Sequence, residues 1–152
     1  IGGGNELNML CDLTIASDDS IFGQAGPLVG SVPIWYGTQM LPRSVGEKKA
    51  REIVYLCNRY TAEEAERMGW VNKVVPKDKL DEEVNAWCQR LLEMSPQSLR
   101  IAKFSLNFAS DTAFPQITHG LELARFFIKS PEMVEGATAF IEKRKPDFYK
   151  VR

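Results

Sequence analysis

The sequence predicts an α/β chain in which a few short strands precede a long run of helices. Three observations carry that expectation. β-Prone runs are short and confined to the first half, at Leu13–Ala16, Ile21–Gly23 and Val71–Val75. After residue 44 apolar residues recur mostly at helical spacing. Between these regions Gly and Pro break up the segment from Gln24 to Ser44.

The elements follow in order. Gly2-Gly3-Gly4 opens a helix whose first turn contains Glu6. Leu13-Thr14-Ile15-Ala16 is a strand bounded by Asp12 and the polar cluster Ser17–Ser20, where Asp18-Asp19 reads as a turn rather than a metal site. Ile21-Phe22-Gly23 is a second short strand, and residues 24–44 form an ordered loop leading into a short helix near Trp35–Leu41. Ala50, Ile53, Val54 and Cys57 lie on one face of a helix starting near Gly46. Thr61 is an N-cap with Glu63 and Glu64 in the first turn behind it, and Gly69 stops that helix. Val71–Val75 before Pro76 is the last strand. Four helices then follow: the stripe Leu80, Val84, Trp87, Cys88, Leu91; the segment Pro96–Ala109; the stripe Ile117, Leu121, Ala124, Ile128; and the stripe Met133, Ala137, Phe140, Ile141. A charged tail from Glu142 ends at Pro146.

Composition excludes several functions. The chain has 152 residues, 44% hydrophobic and 26% charged, with a formal charge of −1, so no basic field gathers nucleic acid or anionic lipid. No apolar run approaches the roughly 20 residues of a membrane span. Three cysteines without a C-x-x-C pair argue against a disulfide scaffold or zinc site and for a reducing, cytoplasmic compartment. One histidine, His119, leaves no His dyad or multi-His metal site. The opening Ile1-Gly2-Gly3-Gly4 reads as mid-domain, and two or three strands are too few to carry the six helices after residue 44. The expectation is therefore the C-terminal part of a longer chain, inactive by itself, with residues 1–75 holding the core and site loops and residues 76–152 a helical region.

Glycines opening a helix leave backbone N–H groups bare, so a ligand approaches closely and negative charge is stabilised there. A tight strand-to-helix turn accounts for the same glycines, and a Glu in a first helical turn is commonly a solvated or capping residue. The ordered set of motifs adds more. Gly2-Gly3-Gly4-Asn5-Glu6-Leu7, Cys11-Asp12, Phe22-Gly23-Gln24, Gly37-Thr38-Gln39, Leu41-Pro42, Val45-Gly46, Ala62 with Glu64-Ala65, Gly69 with Val71-Asn72, and Glu142-Lys143-Arg144 resemble the second half of the crotonase (enoyl-CoA hydratase/isomerase) superfamily. The resemblance covers essentially the whole chain. It implies the C-terminal part of a ββα-repeat spiral fold followed by a helical trimerisation region. It also implies an acyl-CoA thioester as substrate, no cofactor beyond the coenzyme A that the substrate carries, and a homotrimer or homohexamer. By the same resemblance the Gly3 N–H is an oxyanion donor and Glu6 a catalytic carboxylate.

Typical hydratases carry a second glutamate where this chain has Gly26. The wording Gly23-Gln24-Ala25-Gly26-Pro27 with Gly30-Ser31 looks instead like a subgroup acting on ring substrates, which includes dihydroxynaphthoyl-CoA synthase and hydrolases that open oxo-ring acyl-CoAs. Against the synthase stand Pro33 in place of its Asp, Ile128 in place of its Tyr, and Glu6 in place of an apolar residue. The resemblance implies substrate contacts for Gln24, Gly26 and Ser31, with Gly26 making room for a ring. Trp35 and Tyr36 line an acyl pocket or pack in the core. The resemblance implies that Lys143 and Lys145 approach the CoA phosphates; read from the residues alone they form a solvated helix end. His119 is structural or on the surface, and Cys11 a buried small hydrophobe. The expected activity is hydration of an enoyl-CoA; the alternatives are ring hydrolysis, synthase-like ring closure, or CoA-ester binding without catalysis. Phe126, Phe127, Ile128, Met133, Val134, Phe140 and Ile141 exceed one apolar stripe and imply a subunit interface or cover from elsewhere in the chain.

Overall fold

The computed structural model describes residues 1–151. Eight helices and four short strands are present among them. Strand β1 (Ile15–Ser17) pairs in parallel with β4 (Lys73–Val75), Ala16 standing opposite Val74. Strand β2 (Ile21–Phe22) pairs antiparallel with β3 (Tyr60–Thr61). Parallel neighbours need a long crossover, and residues 18–72 supply it. Helices α2 (Gly37–Val45), α3 (Glu47–Leu56) and α4 (Ala62–Arg67) lie within that crossover. Helix α1 (Gly3–Met9) precedes β1.

Each crossover helix ends for a local reason. Gly46 at φ 81° separates α2 from α3, a left-handed turn favouring glycine. Thr61 and Glu64 form a reciprocal capping box at α4, and Gly69 at φ 78° follows its C-terminus. Between them the buried residues Leu41, Ala50, Ile53, Ala62, Ala65 and Trp70 make the main core. Trp70 stacks obliquely on Phe22 and Tyr60, with ring centroids 5.7 and 6.2 Å away. Every strand and every member of this core precedes residue 76.

Helices α5 (Leu80–Leu92) and α6 (Pro96–Asp111) contribute no buried residue. Lys73 and Trp87 both donate to Glu83 Oε1, holding α5 against β4, while Arg43 donates to the Ala109 carbonyl at 2.7 Å and ties α6 to α2. Helices α7 (Phe114–Phe127) and α8 (Pro131–Ile141) return over the loop after β2. Gly136 of α8 packs so closely there that a Cβ would lie 2.4 Å from the Val29 carbonyl oxygen. Phe104, Phe108, Phe126, Phe140 and Ile141 are exposed, Phe126 at 88%. The accessible surface is 10465 Å², whereas a compact monomer of this mass exposes about 7,800 Å². No helix among the described residues is long and apolar enough to cross a membrane.

The strand Tyr60–Thr61 is absent from the sequence expectation, and α2 begins two residues later and ends four later than expected. Cys11 is exposed rather than buried, its thiol directed at the Leu7 carbonyl 3.6 Å away, because it lies in the bend after α1, outside the packed core.

Candidate active site

Gly2 adopts φ 59° and ψ −128°, a conformation that L side chains rarely reach, and its N–H donates to the Gly23 carbonyl at 3.1 Å. This bond ties the start of α1 to the loop after β2, so Glu6 and Gln24 are brought to the same place. Added Cβ atoms at Gly3 and Gly4 would meet nothing within 4 Å, which leaves this backbone open. Glu6 is only 8% exposed. Its carboxyl group makes no hydrogen bond among the described residues, and burial raises its pKa above the usual carboxylate value. Gln24 is 1% exposed, and neither its carboxamide oxygen nor its nitrogen has a partner.

Helix α2 sets its first residue over this pair. A Cβ on Gly37 would lie 2.7 Å from Glu6 Oε1 and 3.0 Å from Gln24 Nε2. The N-cap of α2 is Tyr36, in the left-handed region and without a side-chain cap. The positive end of the helix therefore faces the carboxyl group and opposes part of the cost of burying its charge.

Gly3, Glu6, Gln24 and Gly26 border a cleft of about 670 Å³. Val29, Ser31, Pro33, Ile34 and Trp35 of the following loop form another wall, and Leu121, Ala124 and Arg125 of α7 with Ile128 just after it a third. Six of the residues singled out from sequence thus share one cleft: Gly3, Glu6, Gln24, Gly26, Ser31 and Trp35. Trp35 is 64% exposed, so it belongs to the cleft rim rather than the core. Lys143 and Lys145 do not line this cleft. Lys143 follows α8 at φ 54°, and Lys145 borders a separate crevice with Leu28, Tyr55, Cys57 and Phe148. His119 is exposed on α7. Asp18 and Asp19 accept from the Lys77 backbone and ammonium, and no three His, Cys, Asp or Glu side chains gather as a metal site among the described residues.

Gly26 has a tighter environment than expected. A Cβ there would fall 2.9 Å from Pro33 Cδ and 2.9 Å from the Ser31 carbonyl oxygen. The space beside this glycine is filled by the chain's own loop, which the Ser31 N–H closes on the Gly26 carbonyl at 2.8 Å. Sequence reasoning missed Gly37 as a lid on Glu6, although the Gly37-Thr38-Gln39 motif marked its position. It also missed Arg125, for which no local signal exists.

The family model described as enoyl-CoA hydratase/isomerase matches residues 1–151. The chain belongs to the enoyl-CoA hydratase/isomerase family. Among solved structures it is similar to an enoyl-CoA hydratase from Mycobacterium avium subsp. paratuberculosis K-10, at 31% identity and TM-score 0.91, covering 97% of this chain and 60% of that one. A carnitinyl-CoA hydratase from Mycobacterium avium matches at 30% identity and TM-score 0.89, over 96% of this chain and 57% of that one. A methylmalonyl-CoA decarboxylase in complex with 2-nitronate-propionyl-CoA matches at 26% and 0.83, over 97% and 58%. The chain spans about 60% of the length of these enoyl-CoA hydratase/isomerase relatives, and its fold is the corresponding part of theirs.

Proposed function

We propose that the protein hydrates an enoyl-CoA through a thioester enolate, with Glu6 as the sole acid–base carboxylate. The observation that carries the reading is a buried, unpartnered carboxyl group beside a buried, unpartnered carboxamide at one cleft. Water adds to the β carbon and yields its proton to Glu6, while the electron pair of the double bond moves onto the thioester oxygen. The Gly3 N–H stabilises that oxygen as it becomes negative. Glu6 then returns the proton to the α carbon, so one water is added and the carboxylate is restored. A pKa raised by burial suits a group that must both take and give a proton. Gln24 orients the water, because an amide donates and accepts hydrogen bonds without exchanging a proton at neutral pH.

The test is Glu6→Gln in the natural full-length chain that carries these residues, assayed on linear and cyclic enoyl-CoAs. Turnover should fall by about 10²–10⁴-fold. The melting temperature should hold or rise, since the variant removes a buried charge whose cost grows as pH climbs past the ordinary carboxylate pKa. Turnover within tenfold of the parent overturns the assignment. Ring hydrolysis loses its motive where Pro33 occupies the room beside Gly26. Product structure separates the two: each adds one water, but ring opening yields a dicarboxylic monothioester with a second, titratable carboxyl group and hydration a hydroxyacyl thioester. CoA-ester binding without turnover across the panel would favour a non-catalytic member. The cytoplasm is the proposed compartment, given three free cysteines. A trimer or hexamer is the proposed assembly; the surface exceeds that of a compact monomer by about 2,700 Å², which a neighbouring subunit or further chain of the full-length protein would cover. A clean monomer of the full-length chain by light scattering would refute the assembly.

A further inference from the structure

We propose that the cleft recognises a second carboxylate on the acyl group through Arg125, so that its preferred substrates are CoA thioesters of dicarboxylic acids. The inference rests on the acyl-CoA reading above and names the substrate class. Leu121, Ala124 and Arg125 line the cleft from one face of α7, at the spacing of successive helical turns, and Ile128 joins them just past its end. Arg125 is the single cationic residue among the cleft's lining residues, as Glu6 is the single anionic one. The loop facing them contributes Val29, Val32, Pro33 and Ile34, which offer a bound carboxylate no compensation, and only the neutral donors of Ser31 and Trp35 beside them.

Arg125 is free to serve. Its ion pair joins Nη1 to Glu122 Oε2 at 3.0 Å, three residues away on the same helix, with both side chains more than half exposed. Such surface pairs hold weakly. The remaining guanidinium N–H groups make no hydrogen bond among the described residues. A planar fork with free donors beside apolar walls matches a carboxylate in a bidentate manner, which a neutral acyl tail cannot exploit. Glu6 repels a carboxylate at the reacting end, so the second carboxylate is at the distal end of the acyl chain.

The test measures binding of saturated, unreactive thioesters to the natural full-length chain by calorimetry, in length-matched pairs: adipyl-CoA against hexanoyl-CoA and glutaryl-CoA against pentanoyl-CoA. The parent should prefer the dicarboxylic member of at least one pair. Arg125→Met should weaken that member about tenfold to a hundredfold while its neutral counterpart stays within threefold, and Arg125→Lys should restore part of the loss. Equal weakening of both members means that the guanidinium serves the CoA moiety or the fold, and overturns the inference, as does a parent without preference. Failure of the parent to bind any of the four esters refutes the acyl-CoA reading itself. Binding of the neutral esters without carboxylate preference refutes the Arg125 assignment alone.

Discussion

Replacing Gly37 by alanine tests the geometry of the site without touching a group that performs chemistry. The new methyl would stand 2.7 Å from Glu6 Oε1 and 3.0 Å from Gln24 Nε2. Ordinary contact requires about 3.4 Å or more, so the carboxyl oxygen must withdraw by roughly 0.7 Å. Both obstructing atoms are ends of flexible side chains, which keeps the overpacking cost near its lower limit of about 1 kcal/mol. Alanine is favoured over glycine in a helix by about 1 kcal/mol, and Gly37 opens α2 outside the left-handed region. The two effects offset each other, and the melting temperature should barely move. Catalysis has no such compensation. A misplacement approaching 1 Å costs up to about 10²-fold, so Gly37→Ala should lower kcat by about 30- to 100-fold with little change in the binding of a saturated thioester. The assay is steady-state hydration by the natural full-length chain, paired with thermal unfolding. A kcat within threefold of the parent, at unchanged stability, would show that Glu6 does not work from beneath α2.

Packing and charge elsewhere in the chain set further expectations. Gly136→Ala drives a methyl to 2.4 Å from the Val29 carbonyl oxygen and 2.6 Å from Gly30 Cα, where backbone has no way to yield. It should lift α8 off the cleft loop and cost about 3 kcal/mol in denaturant unfolding, and a loss below about 0.5 kcal/mol would contradict that packing. Arg144 grips Glu135 through two nitrogens at 2.6 and 2.9 Å, and the Asp147 N–H adds a third bond at 2.8 Å. This arrangement lowers the Glu135 pKa to about 2. Its stabilising contribution is therefore complete above the ordinary value of 4.5 and is lost as pH falls towards 2. Hydrogen exchange across residues 147–151 should accelerate over that window, and Glu135→Gln should reproduce the acceleration at neutral pH. Exchange that is indifferent to both would remove the latch.

Local chemistry made much of the fold legible. The capping box at Thr61 and Glu64, the stop at Gly69 and the apolar spacing through Ala50, Ile53 and Val54 are decided within a few residues. Tyr60–Thr61 was missed because the local signal at Thr61 is that of a helix cap; the strand exists through pairing with Ile21–Phe22 nearly 40 positions earlier. Cys11 was misread for a related reason: composition says that cysteines favour the interior, but only the packing shows which side of a turn faces out. At the site, the motif order located Gly3, Glu6 and Gln24, whereas Gly37 and Arg125 join them through helices that return from elsewhere in the chain. Contacts of that kind leave no mark in a local pattern.

Gly26, which departs from the usual hydratase pattern, and Pro33, which departs from the synthase pattern, prove to be one feature. Pro33 places its Cδ 2.9 Å, and its nitrogen 3.2 Å, from where a Cβ on residue 26 would be. A glutamate at 26 would need the loop from Ser31 to Pro33 to open, and the hydrogen bond from the Ser31 N–H to the Gly26 carbonyl holds it shut. The sequence therefore has not merely exchanged one side chain for a smaller one; it has closed the backbone over the position. In the proposed hydration, proton transfer then rests on Glu6, since its neighbour Gln24 can hydrogen-bond but exchanges no proton at neutral pH. A single buried carboxyl group with a raised pKa is consistent with that demand, because the same group must be ionised to accept a proton and protonated to return it.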